Sequence, residues 1–155
     1  MTTPKSIYSL SGLPQNHSLR YTTRDHADDT AKHADSTPPS TGRGYPKQFH
    51  NREQLQDLTG LLTPRPGATL QEFPITAQGK WAPGQSPGPM RSIHESGNPQ
   101  HNIVAYHDPN NTNHGANMTG PNYHSYSQAK AAGPAAEAAY RQYYSNAVAG
   151  KPWMN

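Results

Sequence analysis

The sequence contains no cysteine among its 155 residues. Disulfide bonds, thiolate chemistry and cysteine-based zinc sites are therefore excluded. Hydrophobic residues are also scarce, at 31% of the chain, whereas prolines number 16 and glycines 13. This composition is typical either of a disordered chain or of a small fold rich in loops.

Long apolar segments are missing as well. No run approaches the roughly 18 apolar residues of a membrane-spanning helix, so we expect no membrane partner. The opening segment, MTTPKSIYSLSGLPQ, lacks the apolar stretch of a secretory signal. The chain as it stands is thus expected in the cytoplasm, or outside the cell if a leader has been removed, and the sequence leaves the location open.

The charge is small and positive. Thirteen Lys and Arg residues face ten Asp and Glu residues, which gives a net charge of +3, and there are nine histidines. Self-repulsion of this size does not keep a chain unfolded. It favours a polyanionic partner weakly, and more strongly at mildly acidic pH, where histidines become charged.

The apolar residues are concentrated in the middle of the chain. Of the 16 Leu, Ile, Val and Phe residues, 11 lie between Tyr45 and Asp108. A packed core would be built mainly from this stretch. We therefore expect a flexible lead with one or two short extended pieces over residues 1–20, a folded domain over 21–110, and a polar loop with a helical tail over 111–155.

The local patterns predict an α+β fold. RDHADDTAKHAD, 24–35, reads as a short helix with alanines on one face. Residues 108–122 read as a polar loop without a strand, and 133–150, with Pro134 in the first turn and Gly150 at the end, read as a docking or packing helix. Three strands, forming an antiparallel meander, are predicted between turn signals at 70–76, 90–94 and 102–107.

Each of these strands carries one reactive side chain: Glu72, Arg91 and His107. Because side chains alternate along a strand, a suitable register puts all three on one face. There a carboxylate can take the proton of an RNA 2′-hydroxyl, an imidazole can protonate the leaving 5′-oxygen, and a guanidinium can neutralise the phosphate. The spacing alone equally fits solvated charges on three unrelated strands.

Four stretches in order resemble the microbial guanyl-specific ribonucleases, the superfamily of barnase-like enzymes and sarcin-like fungal ribotoxins. They are YPKQFHNRE (45–53), LQEFPI (70–75), SPGPMR (86–91) and IVAYH (103–107). The resemblance implies a short N-terminal helix packed on a twisted antiparallel sheet, with a C-terminal helical tail outside the family pattern. It implies Glu72 as general base, His107 as general acid and Arg91 as the phosphate-binding residue. Phe73 and Ile75 would then point into the core.

The first of these stretches resembles the family's phosphate and guanine contacts. Tyr45 matches a tyrosine that contacts the phosphate, and Lys47 stands where fungal members usually carry a histidine that assists the base. In FHNRE, Phe49 or Arg52 would stack on guanine, and the backbone N–H groups of His50, Asn51 and Arg52 would meet the base. Glu53 would accept two hydrogen bonds from guanine, a pattern that adenine does not present.

By this resemblance the chain is a guanyl-preferring endoribonuclease. It would cleave single-stranded RNA to a 2′,3′-cyclic phosphate without metal or other cofactor. We expect a monomer, with a protein inhibitor as a further partner and a toxin role as one use. One alternative is a catalytically inactive ribonuclease-like RNA-binding or effector protein, favoured by Lys47 and by the unusual stretch after His107. Another is a disordered chain rich in His, Pro and Tyr. The histidines fit no metal-ligand spacing.

Overall fold

A computed structural model describes residues 6–38, 40, 44–50, 64–77, 79–107, 118–119, 122–124 and 126–149. These residues form two antiparallel sheets and three helices. In chain order the elements are β1 (Ile7–Ser9), β2 (Tyr21–Thr23), α1 (Arg24–Asp35), β3 (Lys47–Gln48), β4 (Leu70–Pro74), β5 (Met90–Glu95), β6 (Asn98–His107), β7 (Met118–Thr119), β8 (Asn122–His124), α2 (Tyr126–Ala132) and α3 (Pro134–Val148). The predicted α+β class is confirmed.

The larger sheet has the strand order β3-β4-β5-β6-β7, with every neighbouring pair antiparallel. Its middle strands β4, β5 and β6 confirm the predicted meander. The turn between β5 and β6 is tighter than predicted, since β6 already begins at Asn98. Gly97 makes this possible with a φ of 77°, a left-handed conformation that glycine adopts without steric cost.

Helix α1 covers one face of this sheet and has the predicted bounds, Arg24–Asp35. It begins where the Thr23 side chain accepts a hydrogen bond from the backbone N–H of His26, which satisfies one of the free N–H groups of the first turn. Small side chains at Ala27, Ala31 and Ala34 are fully or almost fully buried. They let the helix lie close to the strands.

The core lies between α1 and the sheet. Phe73 packs with Ala34 and Trp81 in one cluster, and Ile75 packs with Ala27 and other buried residues in the main cluster. The expected inward orientation of Phe73 and Ile75 is therefore confirmed. Alternation along β4 directs the residue between them, Pro74, and also Glu72, to the opposite face.

The expectation of a flexible lead over 1–20 is wrong for its described part. Strand β1 lies between β2 and β8 in the smaller sheet, and Ile7 and Leu10 have no exposed surface. The expected strand-free loop over 108–122 is also wrong, since β7 pairs with β6, and β8, which pairs with β1, begins at Asn122. Strands of two or three residues carry too little alternation to be seen in a sequence.

Helix α3 packs on the smaller sheet, as a packing helix was predicted to do. Tyr140 and Ala147 are buried in a cluster with Ile7 and Tyr21, and Tyr143 stacks on Tyr21 with 5.4 Å between the ring centroids. Pro134 lies at the start of the helix, where its missing N–H costs nothing. Within the described ranges, no helix has the length and apolar character needed to cross a membrane.

Candidate active site

The strand register places Glu72, Arg91 and His107 on one face of the larger sheet. Glu72 lies opposite Ile93 on β5, and Arg91 lies opposite Ala105 on β6. Side chains alternate along each strand, so these positions and His107, two residues beyond Ala105, point to the same side. That side is the one turned away from α1. The register thus brings together the three reactive side chains of the three central strands.

Glu72 is a buried carboxylate in contact with a lysine. Only 8% of the residue is exposed, and its Oε1 lies 3.6 Å from Nζ of Lys47, its partner across β3 and β4. Burial raises the pKa of Glu72, and the positive charges of Lys47, Arg91 and His107 oppose this rise. A carboxylate whose pKa is raised by burial is a stronger proton acceptor than a solvated one.

Tyr45 links the two cations that flank Glu72. Its hydroxyl accepts a hydrogen bond from Nη2 of Arg91 at 3.2 Å, and the Arg91 guanidinium lies 5.2 Å from the ring centroid. Nζ of Lys47 lies 4.8 Å from the same centroid. Trp81 supports the ring from the core side in an edge-to-face contact, with 5.2 Å between centroids. Cation–π attraction therefore helps to hold both cations beside the carboxylate.

His107 ends β6 and is partly exposed. Its backbone N–H donates to the carbonyl of Pro89 at 2.7 Å, and its partner across the next strand is Met118. The imidazole charge lies near enough to Glu72 to lower the pKa of that carboxyl. A base and an acid at the two ends of one face suit a reaction that takes one proton and returns another.

The predicted guanine-binding residues are described only in part. Phe49 is buried against Leu70, Ile93 and Ala105 on the Glu72 face, and its N–H donates to the carbonyl of Leu70 at 2.9 Å. This packing leaves the Phe49 ring little surface to offer a base. His50 is exposed. Asn51, Arg52 and Glu53 lie outside the described residues.

Some residues of the site escaped the sequence analysis. The segment SPGP was interpreted as a turn and as part of a family-like stretch, without a contact to Arg91, although the carbonyls of Pro87 and Gly88 accept hydrogen bonds from Arg91. Trp81, which contacts the Tyr45 ring, was not singled out from the sequence. The available signal was a glycine between two prolines, three residues before the arginine to which the resemblance assigns phosphate binding. In the described part of the chain, no three His, Asp or Glu side chains are grouped so that they could hold a metal ion.

A family model described as ribonuclease matches residues 11–119, a region that includes Tyr45, Lys47, Glu72, Arg91 and His107. The chain therefore belongs to this family of microbial ribonucleases. No curated protein matches the sequence.

Proposed function

We propose that this ribonuclease cleaves single-stranded RNA on the 3′ side of guanosine by metal-independent transphosphorylation. Membership of the family implies an RNA substrate and supports an endoribonuclease. The mechanism proposed for the cleavage depends on the chemistry of the site. A base, an acid and two cations share one face, and together they supply what this reaction needs.

The reaction would proceed with Glu72 as the base and His107 as the acid. The Glu72 carboxylate takes the proton of the 2′-hydroxyl, and the 2′-oxygen attacks the adjacent phosphorus. As the bond between phosphorus and the 5′-oxygen breaks, a protonated His107 gives its proton to that oxygen. The products are a 2′,3′-cyclic phosphate and a free 5′-hydroxyl, so atoms and protons balance without water.

The cations would stabilise the charge that develops on the phosphate in the transition state. Arg91 offers N–H groups in a planar fork, which matches phosphate oxygens. Lys47 offers a compact charge on the same face and shares the Tyr45 ring with Arg91. In this proposal Lys47 takes over the position of the family's histidine by acting as a charge.

Guanine preference would come from the segment 49–53. Glu53 accepts hydrogen bonds from the ring N–H and the amino group of guanine, while the backbone N–H groups of His50, Asn51 and Arg52 contact the other edge. The stacking partner is Arg52 rather than Phe49, because the Phe49 ring is buried in the apolar cluster beneath the site.

The single observation that carries the proposal is the shared face of Glu72, Arg91 and His107, fixed by the register of β4, β5 and β6. A protein that only binds RNA gains from cations. It gains nothing from a buried carboxylate that repels the phosphate. The Glu72 carboxylate is thus better explained by proton transfer than by binding.

The test is cleavage of a short RNA that contains a single guanosine, in EDTA, by the wild type and by Glu72→Gln. We expect cutting 3′ to the guanosine with a cyclic phosphate end, and a loss of about 100-fold or more in the variant, the scale of general base catalysis. The matched control is Glu137→Gln, which removes a partly exposed carboxylate on α3 that pairs with Arg141.

Four results would each contradict a part of the proposal. Cutting at every base would contradict the guanyl preference. Loss of cutting in EDTA would contradict the metal-independent mechanism. No cutting by a folded wild type that still binds the RNA would favour the inactive RNA-binding alternative. Glu72→Gln with wild-type activity would remove the base assignment alone.

A further inference from the structure

One side of the Arg91 guanidinium is occupied by the loop that precedes β5. Its Nη1 donates to the carbonyls of Gly88 at 2.7 Å, Met90 at 3.0 Å and Pro87 at 3.3 Å. Nη1 carries two hydrogens, so these three acceptors use both of them. Nη2 gives one hydrogen to the Tyr45 hydroxyl. The loop and Tyr45 therefore fix the plane and the rotation of the guanidinium.

Two N–H groups of Arg91 remain on the other side. Nε–H and the second hydrogen of Nη2 have no hydrogen-bond partner among the described residues. Nε and Nη2 form one edge of the guanidinium, and an edge of this kind can bind two oxygens of one phosphate. Glu72 does not use them, since within the described part of the chain its ion pair is with Lys47.

Gly88 sets the direction of the loop carbonyls. The carbonyls of Pro87 and Gly88 belong to the two peptide groups that flank the Cα of Gly88, and the φ of Gly88 is 64°. A side chain there would be strained by its backbone conformation rather than by crowding, since a Cβ would meet only Leu19 Cδ1, at 4.0 Å. A β-branched residue adopts this conformation least readily of all.

We infer that Gly88 is a positioning residue for Arg91: its left-handed backbone commits Nη1 to the loop and leaves the edge formed by Nε and Nη2 for the two non-bridging oxygens of the phosphate. This inference rests on the proposed function for its place in the reaction. The binding edge itself needs no turnover, and inorganic phosphate serves as its probe.

The first experiment is a titration of the folded full chain with inorganic phosphate, followed by NMR on the Nε–H signals of arginine. The Arg91 signal is assigned by its loss in Arg91→Lys. We expect a saturable shift of this signal in the wild type and binding at least about tenfold weaker in Gly88→Val, because a misdirected guanidinium loses one of two parallel hydrogen bonds.

Gly84→Val is the matched control. Gly84 also has a positive φ, 93°, and open space around its Cα, but its carbonyl does not contact Arg91. The phosphate affinity of Gly84→Val should equal that of the wild type, although its melting temperature should fall about as much as that of Gly88→Val. If Gly88→Val does not fold, Gly88→Ala takes its place.

The second experiment measures cleavage of the single-guanosine RNA with a phosphate or a phosphorothioate at the cleaved position. Sulfur in place of a non-bridging oxygen should lower the cleavage rate of the wild type by a larger factor than that of Gly88→Val, because the variant already binds that oxygen weakly. The limbs of the pH–rate profile should stay in place, because Glu72 and His107 are unchanged. A purely structural role of Gly88 would leave the sulfur effect as in the wild type.

The two proposals fail in different ways. If the wild type binds phosphate through Arg91 Nε–H and Gly88→Val binds it weakly, but no RNA is cut, the proposed function fails and the positioning role stands. If phosphate does not shift the Arg91 signal, or Gly88→Val binds it as the wild type does, the positioning role is overturned even though RNA is cut.

Discussion

At the scale of the residue, the pKa of the Glu72 carboxyl results from opposing effects. Burial beneath the open face raises its pKa, and Lys47 makes the largest opposing contribution among the three nearby cations. Lys47 thus limits how far burial raises the pKa of the carboxyl. Strand β4 can carry a charged residue at Glu72 because this side chain points away from the face that packs on α1.

Replacing Lys47 should move the acidic limb of the pH–rate profile. A base must be deprotonated to act, so activity rises with pH through the pKa of Glu72. Lys47→Gln removes the charge that lowers this pKa, and the pKa rises. The acidic limb of kcat/KM on the single-guanosine RNA should therefore move to higher pH. The measurement is the full pH profile of both proteins under constant ionic strength.

The control for this shift is Lys32→Gln, which removes an exposed lysine from α1, on the covered side of the sheet. Its profile should coincide with that of the wild type. An acidic limb that stays in place in Lys47→Gln, or that moves to lower pH, would show that Lys47 does not act on the Glu72 carboxyl.

At the scale of the element, α1 is joined to β5 and to its turn through one carboxylate. Oδ1 of Asp35, at the end of α1, accepts a hydrogen bond from the backbone N–H of Gly97 at 2.8 Å and lies 3.3 Å from Nε2 of His94. His94 is only 1% exposed and faces the helix. Burial lowers the pKa of His94, and Asp35 opposes this only in part.

Acid should lower the free energy of unfolding, and part of this loss should depend on His94. A histidine whose folded pKa lies below its unfolded value, 6.5, stabilises the fold fully above that value. This stability is lost as the pH falls below 6.5 toward the folded pKa. We expect the free energy of unfolding to fall less between pH 7 and pH 5 in His94→Gln than in the wild type, as measured by urea denaturation.

The control for His94→Gln is the replacement of an exposed histidine. His101→Gln changes an exposed side chain on the neighbouring strand β6 and should leave the pH dependence as in the wild type. If His94→Gln loses as much stability between the two pH values as the wild type, buried His94 is not the source of the acid sensitivity.

The elements that the sequence predicted are those whose own residues specify them. Helix α1 has a capping threonine before it and alanines on one face, and β4 to β6 are separated by clear turn residues. The short strands β1, β7 and β8 have no such pattern, because their pairing depends on partners that lie far away in the chain. The same holds for the site. Types and order of residues indicated Glu72, Arg91 and His107, whereas the backbone carbonyls that hold Arg91 belong to the folded loop alone.

At the scale of the whole molecule, the parts outside the family match pack on one another. The match covers residues 11–119, so β1 lies before it and β8, α2 and α3 lie after it. Strand β1 pairs with β8, and α3 covers both β1 and β2. The flanking segments are thus bound to the ribonuclease fold as a second small layer.

This layer should contribute to stability without taking part in the chemistry. Tyr140 is 2% exposed and packs with Ile7 and Tyr21, in a cluster that includes no residue of the candidate site. Tyr140→Ala should lower the free energy of unfolding by roughly 3 kcal/mol, the cost of removing a large buried ring. Below the melting transition, kcat and KM should be unchanged.

Tyr144→Ala is the comparison, because Tyr144 is only partly buried at the edge of the same cluster. Its loss of stability should be clearly smaller. Equal losses in the two variants, or a change in kcat for Tyr140→Ala at full folding, would contradict a purely stabilising layer that is independent of the site.

The central position of β1 has a consequence for how the protein is made. Its partner β2 follows it closely, but its other partner, β8, and the helix α3 that covers Ile7 are synthesised last among the described elements. During translation the smaller sheet stays open until the end of the described chain has left the ribosome. A chain of the ribonuclease family thus closes its smaller sheet only after β8 and α3 have emerged from the ribosome, which is itself made largely of RNA.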